Sequence, residues 1–117
     1  MLSRLLLVAI GTLLLALAAS NALAYSMSGG GTDELRGTES NDRLVGGGKD
    51  DVVSGLGGDD ELYGGGGRDL ILGGAGDDFV EAKDGEADVI SCGPGNDVAS
   101  LDRFDRVEGD CKTLYPG

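Results

Sequence analysis

A chain of 117 residues is long enough for one ordinary domain, and its 23 glycines are about three times average usage. Twenty-one acidic residues against nine basic ones leave a net charge of −12, which makes nucleic acid and anionic membrane surfaces poor partners and cations good ones. There is no histidine and no tryptophan, which removes the commonest general base and zinc ligand, and with it the usual Ser/His, Cys/His and HExxH constellations.

Residues 1–24 read as a secretory signal. Arg4 supplies the positive n-region, residues 5–19 are a 15-residue apolar run, and Ala22-Leu23-Ala24 is an A-x-A cleavage site, which puts the mature N-terminus at Tyr25. An uncleaved anchor is the alternative. A 15-residue apolar helix covers about 22 Å, however, short of a bilayer core of about 30 Å. Removing Arg4 takes the net charge from −12 to −13, and the expectation is a secreted protein with no membrane association after cleavage.

From Ser28 onward the chain repeats every nine residues. SGGGTDELR puts Asp33 sixth and Leu35 eighth, and GTESNDRLV follows with Asp42 and Leu44, although Thr38, Glu39 and Ser40 replace its loop glycines. Four regular copies come next, GGGKDDVVS, GLGGDDELY, GGGGRDLIL and GGAGDDFVE, with Asp51, Asp60, Asp69 and Asp78 sixth and Val53, Leu62, Ile71 and Val80 eighth. AKDGEADVIS carries one extra residue and still delivers Asp88 and Ile90; CGPGNDVAS restores the loop with Asp97 and Ala99; LDRFDRVE is one residue short and ends with Asp105 and Val107. The insertion and the deletion cancel. Asp33 to Asp78 is 45 residues and Asp78 to Asp105 is 27, both multiples of nine, so nine units share one phase.

The last three residues of each unit alternate outward, inward, outward, as a three-residue strand must, and their β-branched residues suit a pleat. The six before them form a turn, with glycine wherever φ is positive or backbone must approach an ion. Turn, strand, turn, strand winds a flattened right-handed parallel β-roll with two units per coil, each strand stacked about 4.8 Å above the one two units earlier. The eighth positions Leu35, Leu44, Val53, Leu62, Ile71, Val80, Ile90, Ala99 and Val107 then form a thin two-sheet core. So thin a core in so acidic a chain needs a bound cation, and carboxylate and carbonyl oxygens in a flexible loop suit Ca²⁺.

The pattern GGxGxDxUx, here GGAGDDFVE, resembles the nonapeptide repeats of RTX, or hemolysin-type, calcium-binding proteins. The resemblance implies a parallel β-roll with calcium held between consecutive turns on each edge by the sixth-position aspartates of two stacked units. Carried onto this chain, one edge stacks Asp33, Asp51, Asp69, Asp88 and Asp105, and the other stacks Asp42, Asp60, Asp78 and Asp97. Loop carbonyls around Gly47, Gly48, Gly57, Gly58, Gly65, Gly67, Gly74, Gly76, Gly93 and Gly95 complete the ligand set. Four of the seven pairs, Asp33/Asp51, Asp51/Asp69, Asp60/Asp78 and Asp78/Asp97, join two good loops. Asp42/Asp60, Asp69/Asp88 and Asp88/Asp105 involve a degraded or mis-sized loop and are expected to be weak or empty, which gives about four strong calcium sites and at most seven. The alternative that these aspartates only make Asx turns leaves the glycine and aliphatic columns unexplained. Acids at the fifth position (Asp50, Asp59, Asp77) are expected to face solvent, since Asn41, Arg68 and Asn96 stand there too. RTX proteins typically carry a C-terminal export signal and an attached effector, whereas the expectation for this chain is an N-terminal signal and the roll by itself.

Cys92 and Cys111 are the only cysteines, and in a secreted chain one pair reads as one disulfide, stapling the last coil of a roll that spans residues 25–111 and ends in a short tail, 112–117. A free redox or metal-binding pair is the alternative. Val52, Leu70, Leu72 and Val89 face outward on one sheet and Arg43, Glu61, Tyr63, Phe79 and Glu81 on the other. The expected function is a calcium-binding protein that folds as extracellular calcium fills its loops, at about 0.1 to 1 mM affinity. A second possibility uses the calcium roll as a scaffold for an extracellular or cell-surface protein partner, docking on the Val52/Leu70/Leu72/Val89 face. A hydrolase has no support, since no GxSxG and no positioned base is present.

Overall fold

The structure, a computed structural model, describes residues 25–27, 31–109 and 111–114; the expected signal and its cleavage site lie outside the described residues. Eleven three-residue strands follow one another: β1 (Tyr25–Met27), β2 (Glu34–Arg36), β3 (Arg43–Val45), β4 (Val52–Ser54), β5 (Glu61–Tyr63), β6 (Leu70–Leu72), β7 (Phe79–Glu81), β8 (Val89–Ser91), β9 (Val98–Ser100), β10 (Arg106–Glu108) and β11 (Lys112–Leu114). No helix occurs among the described residues. Odd-numbered strands form one six-stranded sheet, even-numbered strands a five-stranded one, and every pairing is parallel. Alternation between two sheets at every turn is what makes the chain a parallel β-solenoid. It also means that units nine apart lie in opposite sheets and units eighteen apart are neighbours.

Register follows the repeat. Val53 pairs with Ile71 and Leu62 with Val80, each eighteen residues on. The extra residue in 82–91 stretches this offset to nineteen at Ile71↔Ile90 and Val80↔Ala99, and the short following unit reduces it to seventeen at Ile90↔Val107. Both irregularities are absorbed in the turns, because a one-residue slip in a strand would carry its inward side chain to the outer face.

The nine units account for β2 to β10, and the ladder runs one strand further at each end. β11 occupies residues expected to be tail, reached by a turn so short that Thr113 pairs with Ala99 only fourteen residues away. Inside, Leu44, Val53, Leu62, Ile71, Val80, Ile90 and Ala99 are fully buried and Leu35 nearly so. Val107, expected in the core, is only partly buried, because β10 ends its sheet. Three first-position side chains, Ala82, Cys92 and Leu101, join the core where the regular units carry glycine. The outer faces run in columns. Arg43, Glu61 and Phe79 align on one sheet, and Val52, Leu70 and Val89 on the other.

Candidate metal centre

Each sixth-position aspartate sits at the end of a turn, one residue before its strand, and from Asp33 to Asp88 the backbone fixes it twice. Its carbonyl accepts the N–H of the residue that opens the strand one coil on, as in Leu70 N–H to Asp51 O at 2.9 Å and Phe79 N–H to Asp60 O at 2.8 Å. Its own N–H is donated to the carboxylate of the aspartate stacked above it. Asp33 donates to Asp51 Oδ1, Asp42 to Asp60, Asp51 to Asp69 and Asp78 to Asp97, all at 2.8 Å; Asp60 donates to Asp78 at 2.9 Å, Asp69 to Asp88 at 2.7 Å and Asp88 to Asp105 at 3.1 Å. All seven expected pairs are therefore in direct contact, along the two edges read from the sequence.

The second carboxylate oxygen separates these residues into groups. Asp51, Asp60, Asp69, Asp78, Asp88 and Asp97 are 1–3% exposed, and the Oδ2 of each is sealed from solvent without any hydrogen-bond donor. A buried carboxylate oxygen with nothing to neutralise it is among the costliest arrangements in a folded chain. Asp42 is equally buried, but its Oδ2 accepts the Thr38 N–H and hydroxyl. Asp105 is half-buried and its Oδ2 accepts the Asp102 N–H at 2.8 Å. Asp33 is also half-buried, in the first described turn of its edge.

Glycine keeps room for these oxygens. A Cβ on Gly64 would lie 2.6 Å from Asp69 Oδ2, and one on Gly73 would lie 2.8 Å from Asp78 Oδ2, so a side chain at either of these first positions would intrude on the carboxylate. Of the carbonyl positions expected around the ions, Gly47, Gly58, Gly65, Gly67, Gly74, Gly76, Gly93 and Gly95 are left-handed, with φ between 83° and 130°. They are the second and fourth residues of their units. Gly48 and Gly57 are third residues and are not in that region. Leu56 and Lys49 stand at a second and a fourth position and adopt φ of 74° and 68°, at a cost of about 1–2 kcal/mol each relative to glycine.

Burial pushes the carboxylates up. Asp60 and Asp88 rise to about 7 and Asp69 and Asp78 to about 6; Asp97 and Asp105 are raised as well. Desolvation is the largest cause throughout. The N–H of the stacked aspartate offsets part of it, and neighbouring carboxylates add to it.

A second ladder has no counterpart in the sequence reading. The fifth-position side chains face solvent as expected, but they also accept backbone N–H groups from the coil above: Asp59 N–H to Asn41 Oδ1, Arg68 N–H to Asp50 and Asp77 N–H to Asp59, each at 2.8 Å, and Asn96 N–H to Asp77 at 2.9 Å. The shared acceptor of Asp and Asn explains why either residue stands there, and it was the available signal.

The donor set is all oxygen, the turns offer carbonyls beside paired carboxylates, and the described residues contain no imidazole or free thiol. This is the chemistry of a hard cation held in a flexible site, which fits Ca²⁺. Cys92 and Cys111 are joined, with their Cα atoms 5.5 Å apart. Searches among curated proteins and among solved structures found no match. The family model for the RTX calcium-binding nonapeptide repeat, four copies long, matches residues 27–62 and again residues 45–80. Those repeats are wound into a parallel roll with their aspartates stacked along both edges, so the chain carries RTX calcium-binding nonapeptide repeats.

Proposed function

We propose that this is a secreted calcium-binding protein whose roll is completed by Ca²⁺ seated between stacked turns. The observation that carries the reading is the set of six buried Oδ2 atoms without a donor. A divalent ion is the group that neutralises two such oxygens at once, and carbonyls of the adjoining turns fill its remaining positions. Four pairs join two of these aspartates: Asp51/Asp69 and Asp69/Asp88 on one edge, Asp60/Asp78 and Asp78/Asp97 on the other. Asp42 and Asp105 already have local donors on Oδ2, so pairs that include them bind more weakly. Secretion is supported by the signal-like residues 1–24 and by a disulfide of the kind that persists in oxidising compartments.

Calorimetric titration of the mature chain tests the reading. Saturable uptake of about four Ca²⁺ per chain, with Mg²⁺ at the same concentration producing little, is the expected result, because Mg²⁺ demands a tighter octahedral shell than a turn-to-turn gap provides. Absence of saturable calcium uptake would remove the proposal. The scaffold alternative rests on the aligned column Val52, Leu70 and Val89, of which Leu70 is 37% exposed. The column is flanked by the charged side chains of Glu34 and Arg106.

A further inference from the structure

The irregular unit 82–91 reads from sequence as a weak point on its edge, yet it adds a carboxylate there. Asp84 is the third residue of that unit, a place held in the units with full loops by Gly48, Gly57, Gly66, Ala75 and Pro94, none of which has a side-chain oxygen, and on the opposite edge by Glu39. One oxygen from each of Asp69, Asp84 and Asp88 lies within 4.8 Å of the others, the sole such cluster among the described residues. Two of the three members are sealed, Asp69 at 3% and Asp88 at 1% exposure, and the Oδ2 of each has no donor. Their Oδ1 atoms are already committed, to the N–H of Asp51 and of Asp69.

Asp84 is held in place by its own turn. Its Oδ1 accepts the Glu86 N–H at 2.7 Å, and the next residue, Gly85, donates its N–H to Asp102 Oδ2 at 2.7 Å. It is exposed, so it closes the cluster from the solvent side, where an ion would enter. Three carboxylates this close repel one another unless a cation lies among them.

We propose, on the footing of the calcium reading above, that Asp69, Asp84 and Asp88 form the tightest cation site of the roll, taking a hard divalent or trivalent ion before the two-carboxylate sites fill. Oxygen-ligand sites gain affinity with the number of charged ligands. Asp84 thus converts a site otherwise expected to be weak into the one that loads first. An early ion here would pin the coil joining β6 to β8.

The test is calcium titration by calorimetry of the wild-type chain, of Asp84→Asn and of Asp77→Asn. Asparagine at 84 keeps the Oδ1 acceptor for Glu86 N–H and removes only the charge. Asp77→Asn makes the same charge change at a fifth-position side chain outside the cluster. The expected result is that Asp84→Asn weakens the first, tightest step by roughly tenfold or more while the later steps persist, and that Asp77→Asn leaves the first step in place. A first step unchanged in Asp84→Asn, or weakened equally in both variants, would overturn the proposal and leave the calcium reading standing. A wild-type chain that takes up no calcium would overturn both. Should Asp84→Asn fail to fold, Eu³⁺ excitation of the wild-type chain decides, since the band energy follows the summed charge of the ligands. A distinct band at the first equivalent supports the three-carboxylate site, and one unchanging band through saturation contradicts it.

Discussion

Asp60 illustrates what each of the six sealed carboxylates without an Oδ2 donor demands. One oxygen accepts the Asp42 N–H at 2.8 Å, the other has no donor, and burial raises its pKa from the ordinary 3.8 to about 7. Asp88 behaves alike, and Asp69 and Asp78 rise to about 6. A folded-state pKa above the unfolded one means that the native chain binds more protons, so without calcium the stability from these groups is present below about pH 4 and is lost as pH climbs through 6 to 7. The calcium-loaded form has the opposite dependence, since the ion must displace those protons. Circular dichroism of the chelated protein should therefore show more β-structure at pH 5 than at pH 8, while calorimetry should show calcium affinity weakening as pH falls below 7. Equal spectra at the two pH values would contradict the assignment of unpaired buried carboxylates.

The strand–turn unit is the scale at which coupling should appear. Asp60 and Asp78 touch through the Asp60 N–H and belong to stacked turns, whereas Asp60 and Asp69, nine residues apart, precede strands of opposite sheets. A double-mutant cycle in saturating calcium with Asp60→Asn and Asp78→Asn should give a coupling energy of about 0.5–3 kcal/mol in denaturant unfolding, and the pair Asp60→Asn with Asp69→Asn should be additive within about 0.5 kcal/mol. Reversed values would mean that the ions do not bridge stacked turns. At this scale the sequence was most informative, because a period of nine with an inward eighth residue leaves little freedom in strand register and core. What it did not reveal depended on contacts between coils. Thr38, which looked like a lost glycine, supplies two donors to Asp42 Oδ2, and Asp84, which looked like part of a mis-sized loop, meets Asp69 and Asp88. Ala82, Cys92 and Leu101 enter the core from first positions, where the regular units carry glycine.

Across the whole molecule, stability grows coil by coil, as in any solenoid whose units contact only their neighbours. The far end is closed by different chemistry. Cys111 immediately precedes β11, the place aspartate holds before most other strands, and Lys112 N–H bonds Asp97 O at 3.0 Å as its counterparts do elsewhere. The last turn is thus tied covalently to Cys92 in the core, a link worth about 3 kcal/mol in the chain-entropy account. The pairing of the two cysteines was legible from their number; the strand that follows was not, because its turn is too short to keep the nine-residue spacing. Between the ends, six sealed carboxylates divide the molecule's dependence on cations between both edges. Far-UV circular dichroism of the mature chain at pH 7.5, starting in chelator and titrated with calcium, tests that dependence most directly. A spectrum that changes cooperatively from largely unordered to β as calcium is added, and reverts with chelator, is the predicted result. The same β spectrum in chelator and in calcium would contradict it.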